Sequence, residues 1–273
     1  MAKDLSYKRF LFIEMLAWWQ GSISNKQLML QFGISRQQTY NDFKQYILKY
    51  PLNLLKTEQG YIPAQTFSPQ FISGELGQYL HWYETHTILD KSYQSPQVAH
   101  VSIPDRIVSV QIIRLLVAAM EQQRRIDVQY VSLSHPENDG RIFHPHTFVN
   151  TGLRWHVRGY CEKSQAYRDL VISRFKGEAE LLDNSTHPVS GDHAWQTIIP
   201  IVLQPDYRLT DAQKWVLGND FTLTDGQLVI KTRAALAHYV LREMQINIKM
   251  LDGTPEAQQW VLVNQDDIKQ WLF

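Results

Sequence analysis

The stretch FGISRQQTYNDFKQYILKYP, Phe32 to Pro51, decides the fold. Gly33 suits the left-handed end of one helix, and Ser35 suits the N-cap of the next. Helical spacing then runs from Arg36 to about Lys49. Tyr50-Pro51 closes it, because a residue before proline is pushed out of the helical region. On a wheel of about 100° per residue, Arg36, Gln37, Tyr40, Asn41 and Lys44 fall within an arc of about 140°. Thr39, Phe43, Tyr46, Ile47 and Tyr50 cluster on a second arc suited to packing. The first set offers a guanidinium, two amides, a phenol and an ammonium, and no carboxylate. A solvated helix face usually mixes Glu with Lys. This face instead matches nucleic acid. Arg can be bidentate to guanine, Gln and Asn can be bidentate to adenine, and Tyr and Lys reach phosphates. The helix N-terminus, with Ser35 and Gln38, adds its own attraction for phosphate.

Working outward, Phe10, Ile13, Leu16 and Ala17 predict a first helix over about 5–20, ended by Gly21. A second helix starts at a capping Ser24 or Asn25 and stops at Gly33. After the third helix, LNLLKT, EQG and YIPAQ read as strand, turn and strand. Three helices and a hairpin are the order of a winged helix-turn-helix. Lys56, Gln59 and Tyr61 are then the wing residues aimed at the DNA backbone or minor groove. The competing reading, a solvated face in an all-α protein, explains neither the hairpin nor the charge. Residues 1–66 hold eight basic and four acidic groups in a chain of zero net charge. A basic end on a neutral whole suits an anionic partner.

The remaining chain divides further. FSPQFISG is a linker, followed by an aromatic-rich helix over Glu75–Leu89 and a looser proline-bearing stretch from Asp90 to Arg106. Ile107–Gln122 is amphipathic through Ile112, Leu115, Leu116 and Ala119. Four strand-like segments follow: IDVQYVSL, GRIFHPHTFVN, LRWHVRGYCE and YRDLVISRF. The turn signals between them suit a small antiparallel sheet or barrel. Beyond GEAELLDNSTHP comes strand TIIPIVLQ, a helix near Asp211–Leu217, strand GQLVIKT, a helix near Leu236–Gln245 and a short terminal helix. The predicted domains are 1–66, a helical linker 67–106, 107–185 and 186–273.

At 273 residues and 44% apolar content the chain suits two or three packed domains. Cys161 is the single cysteine, so no disulfide forms within the chain, and a reducing compartment fits. No apolar run approaches the roughly 20 residues needed to span a bilayer. These features read as a soluble cytoplasmic protein with no membrane partner.

In RWHVRGY, His156, Arg158 and Tyr160 alternate with Trp155, Val157 and Gly159. Tyr130 and Ser132 share a face of their own strand, and Arg174 stands between Ser173 and Phe175. Arg, His, Tyr and Ser gathered on one side of a sheet suit a cationic pocket for an anionic ligand. The alternative is an ordinary solvent-facing sheet surface.

Two resemblances join these readings. GISRQQTYNDFKQY is similar to the helix-turn-helix core of WYL-domain transcription regulators, with Ser35, Arg36, Tyr40, Asp42 and Phe43 matching and Asn41 standing where arginine is common. Trp155-His156-Val157 stands at the Trp-Tyr-Leu position of the WYL domain itself, retaining only the tryptophan. A subset of these regulators is linked to bacterial anti-phage defence islands. The resemblance implies an α+β chain: an N-terminal winged helix-turn-helix, a central small Sm-like β-barrel that senses a ligand, and a C-terminal α/β dimerisation extension. It also implies a homodimeric repressor, double-stranded DNA with an inverted-repeat operator as partner, and a nucleotide or nucleic-acid fragment as ligand. By position the pocket candidates are Tyr130, Ser132, His146, Arg154, His156, Arg158, Tyr160 and Arg174.

The motifs of catalysis are missing. No G-x-S-x-G, P-loop or G-x-G-x-x-G occurs, so neither an enzyme nor a bound cofactor is expected. His144-Pro145-His146 is an H-x-H pair, but no Cys or Glu stands at a suitable local spacing to complete a metal site. It reads as pocket lining or hydrogen-bonded core, and His135 in its turn reads as solvated. Asp266-Asp267 reads as a helix start. Two other functions stay open. One is an accessory protein whose WYL domain regulates a partner enzyme; the other is a hydrolase built on His144 and His146.

Overall fold

The computed structural model describes residues 2–88, 103–104, 106–134, 136–137, 139–250 and 253–272. The expected helix end at Leu89, most of the stretch that follows it, and His135 lie outside the described residues. The chain forms two compact units: Met1–Pro145 with Ile172–Asn184, and His146–Val171 with Ser185–Phe273.

In the first unit, helix α1 (Ala2–Gln20) is the central rod. Phe10, Leu11, Phe12, Ile13, Met15, Leu16, Ala17 and Trp19 are all buried, so from Phe10 to Trp19 the helix is enclosed on nearly every side. Helix α2 (Asn25–Phe32) opens with a capping box: the Gln27 amide donates to Ser24 Oγ, and the Ser24 amide donates to Gln27 Oε1. Gly33 ends it in the left-handed region. Helix α3 (Arg36–Lys49) follows, capped by Ser35. Strands β1 (Leu54–Thr57) and β2 (Gly60–Pro63) pair antiparallel as the wing. Ile23 adds a bridge to β2 through two backbone hydrogen bonds with Tyr61, each 2.8 Å.

One buried charge fixes the linker. The Glu14 carboxylate is fully buried and accepts from Tyr46 Oη at 2.8 Å and from the amides of Gln70, Phe71 and Ile72. The linker read from sequence is therefore tied to the middle of α1. Helix α4 (Leu76–Thr85) follows and ends at His86 in the left-handed region, short of the expected Leu89. Helix α5 (Val110–Glu121) begins three residues later than expected, with Ser109 as its cap and Ile107 left 93% exposed.

Strands β3 (Arg124–Tyr130), β4 (Asp139–Asn150), β5 (Trp155–Cys161), β6 (Ala166–Val171) and β7 (Phe175–Asn184) form one sheet in the order β6-β5-β4-β3-β7. The first unit holds β7, β3 and the first half of β4; the second holds β5, β6 and the rest of β4. This corrects two expectations. The segment read as a single strand, YRDLVISRF, breaks at a 3₁₀ turn over Ile172–Arg174, and β7 begins at Phe175. The sheet is also not a closed Sm-like barrel. β6 and β7 are its two ends, and no ladder joins them among the described residues.

In the second unit, β10 (Trp260–Leu262), β8 (Ile198–Pro205) and β9 (Leu228–Arg233) form an antiparallel sheet in that order. Helices α7 (Asp211–Asp220) and α8 (Ala237–Glu243) supply Leu217 and Leu241 to its core, beside Ile201, Leu203 and Trp260. A short helix α6 (His193–Gln196) precedes β8. Asp266 and Asp267 stand in the first turn of α9 (Gln265–Ile268), where carboxylates suit the positive end of the helix.

Candidate nucleic-acid interface

Helix α3 is held from behind. Phe43 is fully buried, and its ring stacks on Tyr61 with centroids 4.2 Å apart. Tyr46 is also fully buried and anchors to Glu14. Thr39 is buried, and its Oγ1 donates to the Ser35 carbonyl at 3.1 Å. Asp42, the one carboxylate of the helix, is 1% exposed; Arg9 Nε stands 2.8 Å from it and Gln38 Nε2 donates to it at 3.0 Å. Sequence showed α3 to be acid-free on one face. The structure adds the reason: its single acid is turned inward onto a guanidinium.

The outward face carries Arg36, Gln37, Tyr40 and Lys44, all exposed, with Gln38 and Asn41 half-buried beside them. Gln37 Nε2 donates to Asn41 Oδ1 at 3.3 Å, which lines up two amides one turn apart. Ser35 Oγ accepts from the Gln38 amide at 3.2 Å, leaving the first turn open at its tip. On the wing, Lys56 and Gln59 are exposed. Tyr61 is not. It is 8% exposed because β2 turns it inward onto Phe43, so it supports α3 from below and does not reach outward.

The pocket candidates fall in both units. In the first, Tyr130 is buried edge-on to Phe175, with the Arg141 guanidinium 5.2 Å above its ring. Ser132 Oγ lies 3.3 Å from Ser134 Oγ. Arg174 is half-buried at the 3₁₀ turn, and its carbonyl accepts from the Val131 amide.

In the second unit, His156 and Arg158 are buried, so the polar face of β5 is no solvated surface. Arg158 donates from Nε and Nη2 to both oxygens of Asp192, at 2.6 and 3.0 Å, and from Nη1 to Asp169 at 3.0 Å. Tyr239 Oη donates to Asp169, and the His156 ring packs 5.4 Å from Tyr239. His146 Nε2 meets Asp192 at 3.1 Å while Nδ1 meets Thr147 at 2.8 Å. Tyr160 stacks flat on His187 at 3.7 Å, and Arg154 is half-buried at the β4–β5 turn. The cation expected to face a ligand is thus taken up by two carboxylates of the protein. Burial of Asp192 would raise its pKa, but the hydrogen bonds from His146 and Arg158 outweigh it and hold the group at about 2. Sequence reasoning missed Asp192, which lies 34 residues from Arg158 and signals itself only as a possible helix cap.

Among the described residues, no group of three His, Cys, Asp or Glu side chains is placed to hold a metal ion. No described helix is long and apolar enough to cross a membrane.

Three family models match the chain. They are the BrxR transcriptional regulator winged helix-turn-helix domain over residues 6–85, the WYL domain over 111–179, and the BrxR transcriptional regulator C-terminal dimerization domain over 198–268. Over 97% of its length the chain is 32% identical to a Pseudomonas aeruginosa protein named DNA-binding transcriptional repressor CapW, covering 91% of that protein. It is 30% identical to the Escherichia coli protein of the same name, over 96% of this chain and 90% of that one. A Stenotrophomonas maltophilia protein of that name is 27% identical over 97% of this chain and 91% of its own.

Proposed function

This chain belongs to the family of CapW transcriptional repressors, with BrxR-type winged helix-turn-helix, WYL and C-terminal dimerization domains, and on that premise we propose that it is a homodimeric, sequence-specific DNA-binding repressor of a phage-defence operon. The observation that carries this reading is the outward face of α3. Arg36, Gln37, Tyr40, Asn41 and Lys44 stand on a helix whose only acid, Asp42, is buried.

In this reading α3 enters the major groove. Residues near its start, Ser35, Arg36, Gln37 and Gln38, meet base edges and the nearest phosphates. Tyr40, Asn41 and Lys44 extend the contact along the groove, and Lys56 and Gln59 touch the backbone from the wing. Two copies related by a two-fold axis take an inverted repeat. A ligand at the WYL region, a nucleotide or nucleic-acid fragment, shifts the DNA-binding equilibrium only if it binds one state more tightly. An anion reaching Arg158 must displace Asp192 or Asp169, which makes the ion-pair cluster the two-state element.

The test is to footprint the protein on the DNA upstream of its own gene and then to compete the protected site against scrambled DNA. Arg36→Ala should cost about 1–3 kcal/mol on the native site and little on the scrambled one. Lys44→Ala should weaken both alike and reduce the salt slope by about one. If both variants bind both duplexes as the unaltered protein does, α3 is not the reading helix.

A further inference from the structure

The first unit contains a cavity of about 570 Å³ between the end of α1, the segment after β2 and the start of α5. That volume lies within the roughly 300–1,000 Å³ typical of small-molecule sites. None of the DNA-face or pocket candidates named above lines it.

One wall is aromatic. Trp18 and Phe67 stack with centroids 5.5 Å apart and planes 25° apart, and each is half-buried with surface left toward the cavity. The other wall is Arg114. Its guanidinium donates to the carbonyls of Trp18, at 2.9 and 2.6 Å, and of Ala17, at 3.2 Å. These are among the last carbonyls of α1, and they accept a cation well. Gly21 leaves the room for this: a Cβ there would stand 3.2 Å from Arg114 Cδ.

Arg114 differs from Arg9 and Arg158, the two guanidiniums described above with carboxylate partners. Arg9 has Asp42, and Arg158 has Asp192 and Asp169. Among the described residues no carboxylate pairs with Arg114, and burial lowers its pKa with no charged partner opposing it. At the rim, α5 starts with Ser109 and has no acidic residue in its first turn. Gln111 lines the same cavity and is exposed. A desolvated cation without a counter-charge is costly, and an incoming anion relieves that cost.

We infer that this cavity binds a small anion with a planar aromatic body, its charged group on Arg114 and at the start of α5, its ring against Trp18 and Phe67. The occupant shares Arg114 with the carbonyls of Ala17 and Trp18, so binding loosens the tie between α1 and α5. The inference does not depend on DNA binding by α3.

Titration calorimetry on the full chain tests it with four probes: adenosine monophosphate, 1-naphthoate, adenosine and inorganic phosphate. At least one of the two aromatic anions should bind at or below about 1 mM, and adenosine and phosphate should each bind at least tenfold more weakly. The pair of anions separates a phosphate-bearing occupant from a carboxylate-bearing one. Gln111→Glu should weaken the bound anion at least tenfold. Its fold is safe, because a carboxylate in a helix's first turn is stabilising. Binding of neither aromatic anion at 1 mM overturns the inference. So does adenosine binding as tightly as the monophosphate when the monophosphate is the anion that binds, or an affinity that Gln111→Glu leaves within twofold.

Discussion

Arg158 carries its charge to a place where 6% of its surface meets solvent, and Asp192 and Asp169 answer it there. Glu14 is buried too, but among the described residues it meets the Tyr46 hydroxyl and three backbone amides and no guanidinium. The two carboxylates therefore shift in opposite directions. For Asp192, bonds to His146 and Arg158 overcome burial and depress the pKa from 3.8 to about 2. For Glu14, burial outweighs the neutral donors and raises it above 4.5. The stability consequences have opposite signs. The Asp192 contribution is complete above pH 3.8 and is lost as pH falls toward 2. The unaltered protein's advantage over Asp192→Asn should accordingly shrink through that window in urea unfolding at stepped pH. An advantage that stays constant would mean that Asp192 is not held down as described. Glu14 works the other way: against Glu14→Gln, the unaltered protein should lose ground as pH rises above 4.5. Removing the partner outright, Asp192→Ala, leaves a buried guanidinium half-answered and should cost about 3–5 kcal/mol. Alternation made the polar face of β5 legible in the sequence, since His156 and Arg158 sit two residues apart. Their partner was not legible, because Asp192 reaches Arg158 only through tertiary structure. Tyr61 was misread for a similar reason. A four-residue strand carries too short a pattern to say which face meets Phe43.

At the scale of elements, α3 and the wing depend on one glycine. Gly60 has φ of +147° and passes under Ile23, where a Cβ would stand 2.4 Å from the Ile23 carbonyl oxygen. That close approach lets Ile23 and Tyr61 exchange backbone hydrogen bonds, and Tyr61 in turn supports Phe43 on α3. Gly60→Ala combines a clash with a disfavoured backbone, so it should destabilise the first unit by more than about 1 kcal/mol. Thermal unfolding measures the loss. Unchanged unfolding would mean that the wing is not bridged to Ile23. Losing the Ser35 cap is milder, about 1 kcal/mol for Ser35→Ala. The helices were legible because apolar spacing over 10 or more residues agrees with a local end signal in each: Gly21 after α1, the Ser35 cap and Tyr50-Pro51 around α3, and the Ser109 cap of α5. β7 was not legible. FKGEAELLDN is rich in residues that strands disfavour, and its pairing with β3 is interrupted by an irregularity near Gly177, whose φ is +66°. Its strand character comes from pairing with β3, which no local pattern announces. The same pairing leaves β6 and β7 as sheet ends where a closed barrel had been expected.

At the scale of the whole molecule, an inverted repeat is read only if two copies hold their α3 helices together, so affinity for DNA and self-association are linked. The chain matches a C-terminal dimerization domain over residues 198–268, and the proposed homodimer would pair there. Helix α7 leaves Trp215 70% and Val216 55% exposed, and Tyr207, just before it, is 67% exposed. Large aromatic and aliphatic groups in that state lose little on leaving water and dominate the energetics of interfaces. Placing a charge there, Trp215→Glu, touches no core residue, since the α7 side chain that packs inward is Leu217. The variant should fold and unfold as the unaltered chain does, yet sediment as a monomer at micromolar concentration. Binding to a full inverted repeat should fall by at least tenfold, while binding to a duplex bearing one half-site should barely change. The contrast between the two duplexes separates a broken dimer from a damaged DNA surface, because α3 is untouched in both. A Trp215→Glu protein that remains dimeric would move the interface off α7. A monomer that binds both duplexes as before would break the link between dimer and operator on which the two-fold reading rests.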